Sequence, residues 1–210
     1  MFHLRHLMMI AATAAVIGAL GLASSAVAGQ PVSQSLNPPP SSWWTCKAVG
    51  NGTICEGTAS YSYSGEDTGI ACGSGAGSFE ILDSATVTDR DTARYDANGQ
   101  LVELVKHETY SSAQFSNSVS GATLPYTSNV TSTGTFPGTD LVLVIRGEMN
   151  FTAPGLGAVA LNAGRLVDLF NDEGDNILFD AGPHSLFPDL YLYGDTSVVP
   201  RLCAALGGTV

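Results

Sequence analysis

The sequence predicts an all-β domain, an antiparallel barrel or alternatively a two-sheet sandwich, with a short C-terminal helix. Three observations carry this. From Trp43 to about residue 182 the chain is a series of β-branched runs broken by Gly, Asn, Asp and Pro, the pattern of antiparallel sheet. Two runs alternate with a period of two. In "LVLVIRGEMNF" one face holds Leu141, Leu143, Ile145, Gly147, Met149 and Phe151, and in "AVALNAGRLVDLF" one face holds Val159, Leu161, Ala163, Arg165, Val167 and Leu169. Finally, hairpin signals recur at Gly50-Asn51, Asn98-Gly99 and Asp172-Glu173-Gly174-Asp175.

Residues 1–28 read as a signal peptide. Arg5 supplies a basic start, Leu7 to Leu22 is an uncharged run, and Ala26-Val27-Ala28 offers the small residues of a cleavage site. Residues 29–42, "GQPVSQSLNPPPSS", read as a Pro/Ser-rich linker, and residues 43–210 as a single β domain. Without Arg5 the exported chain carries 7 Lys plus Arg against 19 Asp plus Glu, a net charge of −12. That balance and the lack of a local basic run argue against nucleic acid, and cleavage of the leader leaves no membrane insertion. The expected address is secreted and extracellular, or alternatively the periplasm or cell envelope.

The stretch "WWTCKAVGNGTICEG" places two cysteines around Gly50-Asn51-Gly52. A two-residue turn at Gly50-Asn51 sets Cys46 opposite Cys55 on a non-hydrogen-bonded pair, where side chains approach closely. A turn at Asn51-Gly52 would set Cys46 against Gly57 instead. Four cysteines allow three connectivities. The expected ones are Cys46–Cys55 and Cys72–Cys203, the second tying the C-terminal segment to the sheet. Cysteine spacings this long, with only His107 and His184 beyond the leader, do not make a zinc site, and no metal or cofactor is expected. The C-terminal helix is expected over Val198 to Leu206, with Pro200 in its first turn and Gly207-Gly208 ending it.

Arg165 is the candidate ligand-binding residue. It interrupts an otherwise apolar face, and a buried guanidinium must find a carboxylate, solvent or an anionic ligand. Catalytic residues are not identified. Glu103, Glu108, Glu148 and Asp168 lie on strands and could pair as the two acids of a glycosidase. Asp180, His184 and Ser185 are close in sequence but lack the Gly-x-Ser-x-Gly elbow of a serine hydrolase. The acidic turn at 172–175 lacks the calcium-loop pattern. Trp43-Trp44 is either an aromatic platform for a sugar or part of the core.

Trp44-x-Cys46, Gly52-Thr53-x-Cys55-x-Gly57, Arg94-Tyr95-Asp96-x-x-Gly99, Asn150-Phe151-Thr152-x-Pro154-Gly155-x-Gly157, Ala163-Gly164-Arg165 and Leu202-Cys203-x-Ala205-Leu206 span most of residues 43–206. On these residues the chain resembles uncharacterised small exported β-rich proteins of high-GC Gram-positive bacteria, a group with no assigned activity. "YDANGQL" is similar to the core of an Rhs/YD repeat, but stands as a single copy and reads as a hairpin turn. The functional expectation is an exported, disulfide-bonded β domain that binds a small hydrophobic or anionic ligand or a partner surface without catalysis. The alternatives are a small extracellular glycan hydrolase and a structural envelope component.

Overall fold

A computed structural model describes residues 35–172, 174–186, 190 and 194–207, so the expected signal peptide lies outside the described residues. Eight strands follow one another across a single antiparallel sheet in the order β1 to β8: β1 (Thr45–Val49), β2 (Gly52–Cys72), β3 (Phe79–Tyr95), β4 (Leu101–Asn117), β5 (Thr123–Thr135), β6 (Leu141–Ala153), β7 (Gly157–Asn171) and β8 (Gly174–Ala181). Among the described residues one α-helix, α1 (Val199–Ala205), follows.

The all-β class and the terminal helix agree with the sequence, whereas among the described residues the sheet is not closed and does not form the expected barrel. Closure requires the first and last strands to meet along their length. Here the edges are the two shortest strands, β1 with 5 residues and β8 with 8, against 21 in β2. Short edges also limit unwanted pairing with other chains. No second sheet forms a sandwich among the described residues.

The strands are longer than the broken sequence pattern suggests, because several interruptions are bulges rather than turns. The β2–β3 register shifts between Tyr63 and Glu66, and the β3–β4 register shifts opposite Ser112, whose φ is 52°. A bulge on β7 also overturns the expected face assignment. Phe151 pairs with Ala160 but Thr152 with Ala158, so Val159 is the extra residue. From there Ala160, Asn162, Gly164, Leu166 and Asp168 oppose the core face of β6, and Arg165 points away from the core.

The turns follow local chemistry. Val49 pairs with Gly52, and Gly50 takes a φ of 61° as the first residue of the turn, a conformation that glycine adopts without steric cost. At the β3–β4 loop, Asp96 Oδ1 accepts the amides of Asn98 (2.8 Å) and Gln100 (2.9 Å). Tyr95 then pairs with Leu101, so the loop is wider than a two-residue Asn98-Gly99 turn. The Pro-rich stretch docks on this loop: the Asn37 amide donates to the Gly99 carbonyl (2.7 Å), Leu101 donates to the Asn37 carbonyl (2.9 Å), and the Tyr95 hydroxyl donates to the Pro38 carbonyl (3.0 Å). Ordered packing therefore extends upstream of Trp43.

The inner face carries the core. Ile81, Val87, Phe115, Leu124 and Phe151 from β3 to β6 pack with Leu202 and Leu206 of the α1 segment. The rings of Phe115, Tyr126 and Phe151 form its centre, with centroids 4.6 to 5.5 Å apart. Helix α1 touches both β2 and β7, so the sheet curls around it. Two bonds fix it there. Cys72 at the end of β2 is joined to Cys203, and Asn117 Nδ2 at the end of β4 donates to the Leu206 carbonyl at 3.1 Å. A smaller cluster of Cys55, Ala93 and Tyr95 packs against Trp44, Leu36 and Leu104, and Cys46–Cys55 joins it to β1. Both expected disulfides are present, which fits an oxidising compartment. Among the described residues no helix is long and apolar enough to cross a membrane.

The two staples close loops of very different length, with sequence separations of 9 and 131. Chain entropy puts the loss on removal at about 2.7 kcal/mol for the short loop and about 5 kcal/mol for the long one. Urea unfolding of Cys46→Ser/Cys55→Ser and Cys72→Ser/Cys203→Ser double variants is expected to show the larger loss of midpoint in the second.

Candidate functional site

The register of the sheet places residues from distant parts of the sequence in rows across the strands. On the outer face one row runs Thr58, Arg90, His107, Thr131, Arg146, Arg165, each directly opposite the next. Arg90, Arg146 and Arg165 are exposed, and among the described residues no carboxylate lies within ion-pair distance of any of them. Between them the His107 ring and the Thr131 hydroxyl share a hydrogen bond of 2.9 Å.

Arg165 is thus surface-exposed rather than buried in an apolar face. Its guanidinium lies 5.5 Å from the centroid of the Phe179 ring, which fixes one side of it. Arg146 stands directly across from it. Like charges at directly opposed positions destabilise a sheet by roughly 0.2–1 kcal/mol. An anion between the two would reverse the sign of that interaction. Arg94 lies on the same face and is paired with Glu103 at 3.0 Å.

Rows on either side complete the surface. One runs Ser60, Thr88, Thr109, Asn129, Glu148. The other runs Val105, Thr133, Val144, Val167, Phe179. The basic row therefore lies between a hydroxyl-rich border and a partly apolar one.

The inner face holds the opposite charge. Asp89 is directly opposite Glu108, and Asp91 directly opposite Lys106. The Lys106 ammonium lies 3.5 Å from both Asp89 Oδ2 and Glu108 Oε1. Burial pushes the Asp91 carboxyl up to about 6, with Lys106 opposing the shift and Asp89 adding to it. Glu108 is raised for the same reasons. Burial disfavours the charged form of Lys106, yet Glu108, Asp89 and Asp91 together hold it above the usual lysine value. Tyr61 beside them is pushed up to about 12 by burial and by the charges of Asp89 and Glu108. Gly57, opposite Asp91, makes room for the tryptophans: a Cβ there would lie 2.7 Å from the Trp43 ring and 2.8 Å from Trp44 Cδ1.

Further along this face the hydroxyls of Tyr63 (2.8 Å) and Tyr126 (3.1 Å) donate to the Asp83 carboxylate. The phenols satisfy a half-buried acid where the polar centre meets the apolar core. Burial still raises Asp83 above its ordinary value.

Of the four acids considered for glycan hydrolysis, only Glu108 joins other carboxylates in this centre. Glu148 is exposed on the outer face, and Asp168 is fully buried on β7. Asp89 and Asp91 were not among the sequence candidates, since only the β3–β4 register brings them to Glu108. They are 7 % and 6 % exposed, so of the three acids Glu108, with 18 % of its side chain exposed, is the one within reach of a ligand. Asp180 and His184 do meet, at 2.7 Å, and the backbone of Ser185 is hydrogen-bonded to Leu161. The pair anchors the segment after β8 to β7 through the Asn162–His184 bridge.

Among the described residues the loops at one end form a shallow, open depression, lined by Val49, Asn51, Thr53, Arg94 and Tyr95. No group of acids, histidines and cysteines suited to a metal ion occurs among the described residues. Comparison with family models, curated proteins and solved structures returned no match.

The carboxylate centre has a testable signature. Asp91 takes up a proton more readily folded than unfolded, so its contribution is present at low pH and is lost as pH rises from about 4 to about 6. Asp91→Asn is expected to raise stability near pH 7 by roughly 1–3 kcal/mol and to leave it little changed below pH 4. Chemical denaturation across that range measures both effects.

Proposed function

We propose that this protein is an exported, non-catalytic binding domain that takes an anionic ligand on the outer face of its sheet. The observation that carries this reading is the direct opposition of Arg146 and Arg165 in one row with Arg90 and His107. A guanidinium pairs with carboxylate or phosphate oxygens through two parallel hydrogen bonds, and two adjacent guanidinium groups hold one anion from both sides. Export is supported by the leader-like residues 1–28 and by two disulfides. The same features suit the small exported proteins that the sequence resembles.

The reading predicts opposite effects of one substitution on stability and binding. Arg146→Glu replaces a like-charged cross-strand pair by an opposite one and is expected to stabilise the fold by roughly 0.2–1 kcal/mol. It should also abolish the response of the Arg165 Nε–H resonance to citrate in an NMR titration. An unchanged titration would refute the site.

A glycan hydrolase is the second reading, favoured by the assembly of Glu108 with Asp89 and Asp91. Release of reducing sugar from a polysaccharide, abolished by Glu108→Gln, would establish it in place of the first.

A further inference from the structure

The basic row is too long for one small anion. Neighbouring strands are spaced about 4.8 Å apart, so Arg90 and Arg146, three strands apart, are separated by roughly 14 Å, and the row from β3 to β7 spans roughly 19 Å. An anion held between Arg146 and Arg165 leaves Arg90 unengaged. Resting on the anion-binding reading above, we propose that the row holds an acidic polysaccharide, a chain of sugars with repeated carboxylates, laid across the strands from Arg90 to Arg165.

Charge complementarity supplies the first argument. The chain as a whole has a net charge of −11 with only 8 Lys plus Arg, yet three arginines and a histidine occupy one line on one face. Electrostatic repulsion from the rest of the molecule confines a polyanion to that line. The borders supply the second. A sugar ring has an apolar face and a polar rim. The row offers half-buried Val144 and Val167 with the exposed Phe179 ring on one side, and Thr88, Thr109, Asn129 and the exposed carboxylate of Glu148 on the other, so that the ligand's carboxylates are directed to the arginines and its hydroxyls to this border. Ser60 and Thr88 (3.0 Å) in this border, and Ser62 and Thr86 (2.8 Å) in the next row out, are already hydrogen-bonded in pairs, which holds their hydroxyls in fixed positions. A single-stranded nucleic acid favours a series of stacking rings along its groove. Among the described residues Phe179 alone borders the row, under Arg165.

The test is affinity electrophoresis and calorimetry of the purified full chain with polygalacturonate, with galacturonic acid monomer, with dextran as the neutral polymer, and with a single-stranded DNA oligonucleotide. Polygalacturonate is expected to bind at least about tenfold more tightly than the monomer, through engagement at several positions. Binding should fall sharply between about 50 mM and about 500 mM salt, and dextran should not bind. Arg90→Ala should weaken polymer binding about tenfold while leaving monomer binding unchanged, whereas Arg165→Ala should weaken both. Circular dichroism confirms that these exposed substitutions leave the fold intact.

If monomer and polymer bind equally and Arg90→Ala has no effect, the site takes a small anion: the polysaccharide inference fails and the anion-binding reading stands. Tighter binding of the oligonucleotide than of polygalacturonate overturns the ligand class. If no anion binds, both readings fail.

Discussion

A single open sheet must bury one face without a second sheet to cover it, and the rest of this structure depends on how that is done. Among the described residues the cover is one short helix, held to β2 by Cys72–Cys203 and to β4 by Asn117, together with Leu186, Leu190 and Val198 of the segment before it. Seven residues of helix cannot cover eight strands. The sheet therefore curls until α1 contacts both β2 and β7, and the aromatic cluster of Phe115, Tyr126 and Phe151 fills the space beneath it. A helix this short is not stable alone, since nucleation costs more than its few hydrogen bonds return. Its position rests on the covalent tie and on burial of Leu202 and Leu206.

Away from the helix the inner face changes character. Tyr63, Asp83 and Tyr126 form a hydrogen-bonded boundary, and beyond it lie Asp89, Asp91, Lys106 and Glu108. Three acids around one ammonium are expensive to bury, and part of that cost is relieved by proton uptake, as the raised Asp91 carboxyl indicates. The centre is thus a source of pH-dependent stability. Its low exposure separates it from the surface chemistry.

The outer face carries the complementary charge. Arginines contributed by β3, β6 and β7 meet in one row only because every strand pairs with its sequence neighbour in a fixed register. A shift of one residue in any pairing would send one of them to the inner face. The opposition of Arg146 and Arg165 sets like charges side by side on this surface, and the proposed anion site rests on that pairing.

Much of the fold was legible in short stretches. The alternation of Leu141 to Phe151, the Gly50-Asn51 turn and the resulting Cys46–Cys55 pairing follow from period two and turn geometry, which are local properties. Even the second disulfide followed from parity and from the position of the terminal helix. What local pattern could not carry was the bulge at Val159, which moves Arg165 to the outer face, and the failure of β1 and β8 to meet. Nor could it place Asp89 and Asp91 against Glu108, or Arg90, Arg146 and Arg165 in line. The sequence by itself determined the all-β class, the Gly50-Asn51 turn, the staples and net charge, because these depend on neighbours along the chain or on composition. The tertiary structure alone decided which charges share a surface, because cross-strand register brings together residues that are far apart in sequence.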